Sequence, residues 1–262
     1  MAPCARSWDG EGRPCEWFPQ VTHSLPAHGA GEAASPLRSR DPKGANLDGR
    51  MNLAHLRSYY HRKRFALSKR MLGIRQPLPR STDYSISPDF ANRMIAEILR
   101  RKPRVMVESG SGLSTIIAGY CLRRIGRGRL ISLEHQEEYL RPCQEAVLRH
   151  ELHTYVQVVH APLKRYTLGD REWLWYDDAF KKTAETIDML IVDGPPADVQ
   201  PLARYPMVPL LWALLEEDAV ILMDDAARAD EQEIAERWTK EFGGLEARYF
   251  ATERGLVRLE RR

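Results

Sequence analysis

The stretch Arg104-Val-Met-Val-Glu-Ser-Gly-Ser-Gly-Leu-Ser-Thr115 decides the fold of this chain. It begins as a short apolar strand that ends in an acid, and a Gly-x-Gly turn follows. Residues 113–125 then have a helical pattern, so the turn points backbone N–H groups to where a nucleotide-like ligand can approach. A second strand ends at Glu134, about twenty residues further on. This order predicts a nucleotide-binding α/β unit.

Strand and helix patterns alternate along the chain after residue 85. Helices are predicted at 88–101, 113–125, 137–150, 205–215 and 230–242, and strands from 105 and at 130–134, 155–160, 187–193 and 219–224. Residues 162–183 have no clear pattern, and two last strands, 245–250 and 255–259, are separated by hairpin length. The predicted fold is therefore α/β, with a doubly wound, mostly parallel sheet that ends in an antiparallel hairpin.

The N-terminal part of the chain differs in composition from the rest. Residues 1–50 hold six Gly and six Pro, and six basic residues balance six acids. Such a segment cannot bury enough apolar surface to offset its chain entropy. We predict that residues 1–50 are a disordered tail or an over-extended start of the reading frame. Residues 51–84 are predicted to be a basic amphipathic helix and a Pro-rich joint, and residues 85–262 the ligand-binding domain.

Charge is distributed unevenly between these parts. Residues 51–80 carry eight Lys or Arg and no acid, whereas residues 81–262 carry 25 basic and 30 acidic residues. Two interpretations of the helix within 51–76 stay open: it contacts an anionic partner or a second subunit, or its apolar stripe simply packs on the domain. No aromatic-interleaved basic motif accompanies the charge, so nucleic acid is not the expected partner.

Apolar runs and cysteines narrow the class of protein. No apolar run is long enough to span a bilayer, and the first thirty residues lack a signal-peptide core. We therefore expect a soluble cytoplasmic protein. The four cysteines have no metal-ligand spacing, which favours reduced thiols without a shared role.

The residues that end the predicted strands are the candidates for a site, because ligands of doubly wound sheets bind at the carboxyl ends of the strands. The five residues are Glu108, Glu134, His160, Asp193 and Asp224, and all of them except His160 are acids. A carboxylate at Glu134 can accept hydrogen bonds from both ribose hydroxyls of an adenosine cofactor. Dinucleotides and S-adenosylmethionine share that ribose. Thr115 replaces the third glycine of the dinucleotide fingerprint, and Glu108 would repel pyrophosphate but could meet a cationic methionine moiety.

Four motifs occur in a fixed order: Val-Met-Val-Glu-Ser-Gly-Ser-Gly-Leu-Ser-Thr, Ile-Ser-Leu-Glu-His, Ile-Val-Asp-Gly-Pro-Pro and Ile-Leu-Met-Asp-Asp. With the terminal hairpin, they make residues 85–262 resemble a class I S-adenosylmethionine-dependent methyltransferase, similar to the small bacterial enzymes with Asp-Gly-Pro after strand four. The resemblance implies a seven-stranded sheet and S-adenosylmethionine as cofactor. The cofactor-binding residues it implies are Glu108, Gly110, Ser111, Gly112 and Ser114 near the methionine end, Glu134 at the ribose, and His135 and Ala161 near the adenosine. Helix capping is the alternative role for the serines.

Methyl transfer needs an aligned nucleophile and, for many acceptors, a base. Asp193 is the candidate catalytic residue, with capping of the following turn as its alternative role. The resemblance to metal-dependent O-methyltransferases adds a hypothesis in which Asp193, Asp224 and Asp225 hold Mg²⁺. An aromatic cluster in the unassigned segment, Trp173, Trp175 and Tyr176, could line an acceptor pocket or pack under a loop.

Three functions follow from the sequence. The leading one is S-adenosylmethionine-dependent O-methylation of a small-molecule acceptor. The second is a nicotinamide-dependent oxidoreductase of the Rossmann type, and the third is a non-catalytic cofactor-binding adaptor that holds a partner through the basic helix.

Overall fold

The structure is a computed structural model and describes residues 53–79, 86–183 and 186–262. The predictions for residues 1–50 lie outside these ranges, as does the end of the joint. The helices are α1 Leu53–Met71, α2 Pro88–Arg101, α3 Leu113–Ile125, α4 Glu137–Arg149, α5 Met207–Leu211 and α6 Ala229–Glu241. The strands are β1 Val105–Ser109, β2 Arg129–Glu134, β3 Val156–His160, β4 Leu163–Leu168, β5 Arg171–Tyr176, β6 Ile187–Val192, β7 Leu215–Asp224, β8 Leu245–Phe250 and β9 Leu256–Arg261.

Seven strands form the main sheet, in the order β3-β2-β1-β6-β7-β9-β8. The first five are parallel, and β9 runs antiparallel to both of its neighbours. This confirms the predicted doubly wound sheet and its terminal hairpin. The strand order reverses direction between β1 and β6, so the carboxyl ends of these two strands mark the switch point, where ligands of such sheets bind.

Both faces of the sheet are covered, because successive side chains of a strand point to opposite sides. On β1, Val105 and Val107 belong to one buried cluster, together with Trp175 of β5 and Trp238 of α6. Met106, between them, belongs to the other cluster, which includes residues of α2, α3 and α4. β1 is buried along its whole length and β6 at every residue except Asp188, which explains why both strands are mostly apolar in sequence.

Local signals fix the helix that leads into the sheet. Ser87 is the N-cap of α2: its Oγ accepts a hydrogen bond from the N–H of Phe90, at 3.4 Å. Pro88 occupies the first helical position, where its missing N–H costs nothing. These two residues confirm the predicted start of the helix.

Two segments differ from prediction. Residues 162–183, which have no clear pattern in the sequence, contain the antiparallel hairpin β4–β5, whose two-residue connection is Gly169-Asp170. The helix predicted at 205–215 is only Met207–Leu211, followed by a 3-10 turn at Trp212–Leu214. Leu215 already belongs to β7, where it pairs with Ile187. Two prolines, Pro206 and Pro209, remove N–H donors from this short segment, which limits the helix.

The predicted basic helix is α1, which packs on α2. Ser68 Oγ donates to Asn92 Oδ1 at 2.9 Å, and Asn92 Nδ2 donates to the carbonyl oxygen of His61 at 3.2 Å. Phe65 packs against the core on the same side. The opposite side exposes apolar side chains, namely Leu56, Tyr59, Tyr60, Leu67 and Met71. No helix in the described ranges is both long and apolar enough to cross a membrane.

Candidate active site

The glycine turn after β1 lies directly against the end of β6. Gly110 has φ of 87°, a left-handed conformation that side-chain-bearing residues rarely adopt. A Cβ at this position would lie 3.2 Å from the main-chain oxygen of Asp193. Gly110 N–H donates to the oxygen of Leu133 at 3.0 Å, and Asp193 N–H donates to the oxygen of Ser109 at 3.1 Å. The turn is thus held between β2 and β6, and only glycine fits it.

Glu134, at the end of β2, holds this turn through hydrogen bonds to its carboxylate. Oε2 accepts from the N–H and Oγ of Ser111 at 3.1 and 2.9 Å. Oε1 accepts from the N–H groups of His135 and Gln136 at 2.8 and 3.0 Å. Burial by itself would raise the pKa of Glu134, but these hydrogen bonds outweigh it and the pKa lies below the ordinary value. The site therefore contains a fixed anion at neutral pH.

Glu108, at the end of β1, lies beneath the turn and is completely buried. One carboxyl oxygen, Oε2, accepts from Thr115 Oγ1 at 2.5 Å and Ser132 Oγ at 2.7 Å. Burial raises the pKa of Glu108 to about 7, against the opposing effect of hydrogen bonds from the surrounding hydroxyls. Its other oxygen, Oε1, has no hydrogen-bond partner among the described residues. Thr115 Oγ1 accepts in turn from Gly112 N–H at 2.9 Å, which connects Glu108 to the turn.

A cavity of about 510 Å³ opens over the turn at the carboxyl ends of β1, β2 and β6. Its volume is in the range of small-molecule and cofactor sites. Seven of the residues predicted for the site line it: Gly110, Ser111, Gly112, Ser114, Glu134, His135 and Asp193. Glu108 and Ala161 do not line it: Glu108 lies under the turn, and Ala161 is packed in the core beside β3. Their predicted roles at the cofactor stay predictions.

Asp193 forms the part of the wall contributed by β6. Its side chain is 14% exposed, and Oδ1 lies 3.4 Å from Nη2 of Arg204. Burial raises the pKa of Asp193 to about 8, although the positive charge of Arg204 acts in the opposite direction. Nearby Asp224 and Asp225 add to the rise. A buried carboxyl group with this pKa can exchange a proton near neutral pH.

The magnesium hypothesis does not fit the arrangement of the three aspartates. Arg204 Nη2 donates to Asp225 Oδ2 at 2.8 Å, and Arg254 Nη2 donates to Asp224 Oδ2 at 2.7 Å. Guanidinium groups therefore already pair with both oxygens of Asp225 and with Oδ2 of Asp224, where Mg²⁺ would need oxygen ligands. Within the described ranges, no group of three or more His, Cys, Asp or Glu side chains is arranged to hold a metal ion.

The predicted aromatic cluster of Trp173, Trp175 and Tyr176 is divided between the cavity and the core. Tyr176 lines the cavity and meets the ring of His135 edge-on, at 5.5 Å between centroids. Its neighbours Trp173 and Trp175 are buried in the core instead, so only one member of the aromatic cluster reaches the cavity. The Gly-Asp turn of the β4–β5 hairpin was the local signal that would have placed Tyr176 at a strand end.

Comparison with known proteins agrees with this geometry. A family model described as a methyltransferase domain matches residues 107–226, which span the glycine turn, Glu134, Asp193 and both aspartates after β7. No curated protein sequence matches the chain.

Solved structures share the fold at low sequence identity. A Podospora anserina methyltransferase bound to S-adenosylhomocysteine is 17% identical, with a TM-score of 0.59, covering 84% of this chain and 100% of that one. An O-methyltransferase of Bacillus cereus in complex with S-adenosylhomocysteine is 15% identical, with a TM-score of 0.54 and coverage of 76% and 91%. The O-methyltransferase of Streptomyces achromogenes involved in tomaymycin synthesis, in complex with S-adenosylmethionine, is 14% identical, with a TM-score of 0.51 and coverage of 76% and 88%. Residues 107–226 therefore match a methyltransferase domain, and the chain has the fold of S-adenosylmethionine-dependent methyltransferases.

Proposed function

We propose that the protein transfers the methyl group of S-adenosylmethionine to a hydroxyl oxygen of a small molecule. One observation carries this proposal: the carboxyl groups of Glu134 and Asp193 line the same cavity, with the glycine turn between β1 and α3 on its wall. The first carboxylate suits a ribose and the second suits an acceptor hydroxyl. The solved structures named above include two O-methyltransferases, which supports oxygen as the acceptor atom.

The residues of the turn suit the cofactor. Glu134 lines the cavity at the end of β2, and we assign its carboxylate to the ribose hydroxyls. Glu108, buried under the turn, supports Gly112 through Thr115 Oγ1. His135 and Tyr176 offer aromatic surface for the adenine. Ser111 and Ser114 supply hydroxyls on the same wall.

The bound cofactor supplies an activated methyl group on a sulfonium, so the protein has to align the acceptor and remove its proton. Asp193 is the base in this proposal. Its pKa of about 8 leaves a useful fraction of carboxylate at neutral pH and makes that carboxylate a stronger base than an ordinary aspartate. A hydroxyl that is itself moderately acidic, such as a phenol or catechol, fits this base best.

The test is transfer of a labelled methyl group from S-adenosylmethionine to the small-molecule fraction of a cell extract. We expect labelled product with the wild-type protein and none with Asp193→Asn. Alkaline stability of the labelled bond separates an ether from an ester. Cofactor binding without turnover on any extract would contradict the proposal and favour the adaptor function.

The proposal also covers the bounds of the catalytic domain, the partner of α1 and the location of the protein in the cell. We assign residues 85–262 to the catalytic domain and the outer face of α1 to contact with an anionic partner, since α1 has basic side chains among its exposed apolar ones and no acid. Sedimentation with and without vesicles of anionic lipid tests the contact, and self-association of the protein alone would assign this face to a second subunit. A cytoplasmic location agrees with the free thiols of Cys121 and Cys143, and cell fractionation tests it.

A further inference from the structure

Three aspartates converge where β6 and β7 end, beside the cavity. Asp193 follows β6, and Asp224 and Asp225 end and follow β7. All are shielded from solvent: the side chains of Asp224 and Asp225 are 0% and 4% exposed, and that of Asp193 is 14% exposed. Three carboxyl groups this close need a cationic partner, because buried like charges repel strongly.

Arg204 is the first such partner, and its side chain is only 5% exposed. Nη1 donates to the main-chain oxygen of Asp224 at 2.9 Å, and Nη2 donates to Asp225 Oδ2 at 2.8 Å. The same Nη2 lies 3.4 Å from Asp193 Oδ1, and Nε lies 3.6 Å from Glu231 Oε1. A single guanidinium therefore joins the ends of β6 and β7 and the start of α6.

Arg254, from the connection between β8 and β9, is the second partner. Nη2 donates to Asp224 Oδ2 at 2.7 Å, and Nε lies 3.1 Å from Asp225 Oδ1. Asp225 thus contacts Arg254 through Oδ1 and Arg204 through Oδ2, and Oδ2 also lies 3.1 Å from Nη1 of the half-exposed Arg228. Arg204 and Arg254 together, the arginine clamp, bring two permanent positive charges to the aspartates.

This charge equals that of a divalent cation, and it is supplied by groups that cannot lose it, since a guanidinium stays protonated in proteins. A metal ion placed among the same oxygens would have to displace both guanidinium groups. The buried guanidinium of Arg204 would then lose its hydrogen bond to Asp225, and loss of one partner of a buried ion pair is strongly destabilising. The resident cations therefore exclude a competing one.

We propose that the arginine clamp takes the place of a divalent metal ion in this site and that Arg204 is a positioning residue, which holds Asp193 against the cavity. The metal-free part of this proposal concerns the aspartates alone, and the positioning part rests on the proposed methyl transfer.

Manganese binding tests the metal-free part without any turnover. The full-length protein at about 100 µM is titrated with Mn²⁺ after dialysis against EDTA, and free Mn²⁺ is followed by electron paramagnetic resonance. We expect the signal of free Mn²⁺ in the presence of the wild-type protein to match that in buffer alone. Asp225→Asn should give the same result. One Mn²⁺ bound per wild-type chain, displaced by Mg²⁺ and lost in Asp225→Asn, would overturn the proposal whether or not the protein transfers methyl groups.

Substitution of Arg204 tests its positioning role. For Arg204→Met, we expect kcat to fall at least about tenfold, since small misplacements of a catalytic group cost this much or more. The dissociation constant of S-adenosylhomocysteine should stay within about twofold, because Arg204 does not line the cavity. Arg204→Lys, which keeps the charge, should recover part of kcat.

The matched control is Arg237→Met on α6, whose guanidinium pairs with Glu233 on the protein surface. It should behave as wild type. A folded Arg204→Met with wild-type kcat would overturn the positioning role. If circular dichroism shows that Arg204→Met does not fold, Arg204→Lys and the manganese titration of the wild type still decide the two parts.

Discussion

The substitution Glu134→Gln tests the cofactor site most closely, because it keeps the size of the side chain and removes only its charge. Four donors now converge on the carboxylate, two from Ser111 and one each from His135 and Gln136, at 2.8 to 3.1 Å. A glutamine at this position keeps one acceptor oxygen, but its NH₂ group would face the N–H or O–H donors that now bind the second carboxylate oxygen. The variant should therefore bind the cofactor less well and also hold the turn less firmly.

The magnitude follows from the hydrogen bonds at stake. One charge-assisted hydrogen bond to a ribose hydroxyl contributes about 1.5–3 kcal/mol. Loss of one such bond predicts that the dissociation constant of S-adenosylhomocysteine rises about 10- to 150-fold, since 1.4 kcal/mol is about tenfold. Isothermal titration calorimetry measures this change directly.

The matched control is Glu137→Gln, three residues along the chain. Glu137 is 61% exposed, pairs with Arg141 and is not among the residues that line the cavity. The dissociation constant of S-adenosylhomocysteine for Glu137→Gln should equal that for the wild type. Equal affinities for Glu134→Gln and wild type, with both proteins folded, would refute the assignment of Glu134 to the ribose.

Three further predictions concern pH and the turn. The rate of methyl transfer should rise with pH up to about 8 and then level off, because Asp193 accepts a proton only as a carboxylate; a flat profile from pH 6 to 9 would contradict this. Gly110→Ala should lower the free energy of unfolding by about 1–3 kcal/mol in urea titrations, whereas Gly243→Ala, with open space around it and no left-handed φ, should not. The pKa of Glu108 is raised on folding from 4.5 to about 7, so the wild type should lose stability as pH rises between these values, and Glu108→Gln should remove this loss.

The parts of the site that were predictable from sequence are those built by neighbouring residues. A strand, a glycine turn and a helix are contiguous from Val105 to Ile125, so pattern and turn chemistry locate Gly110 and Ser111 without knowledge of the rest. The end of a strand is also visible from neighbouring residues alone, and parallel strands bring their carboxyl ends to the same edge of the sheet. For this reason the sequence pattern predicts that Glu134 and Asp193 lie at the same edge of the sheet, and both line the cavity there.

The parts that were not predictable depend on contacts between distant segments. Arg204 reaches Asp225 across 21 residues, and Arg254 reaches Asp224 across 30. The motifs place the three aspartates together but say nothing about which cation meets them, so a metal ion was the natural hypothesis. Burial of Ala161 likewise follows from packing around β3, because a residue after a strand can face either the core or the cavity.

The most direct measurement of the central claim is a calorimetric titration of the wild-type protein with S-adenosylhomocysteine and, separately, with NAD. The cavity, the ionised Glu134 and the buried Glu108 predict one S-adenosylhomocysteine per chain with a micromolar or lower dissociation constant, and no heat of binding with NAD. Nanomolar-to-micromolar binding of NAD in the absence of S-adenosylhomocysteine binding would contradict the claim and identify a dinucleotide site.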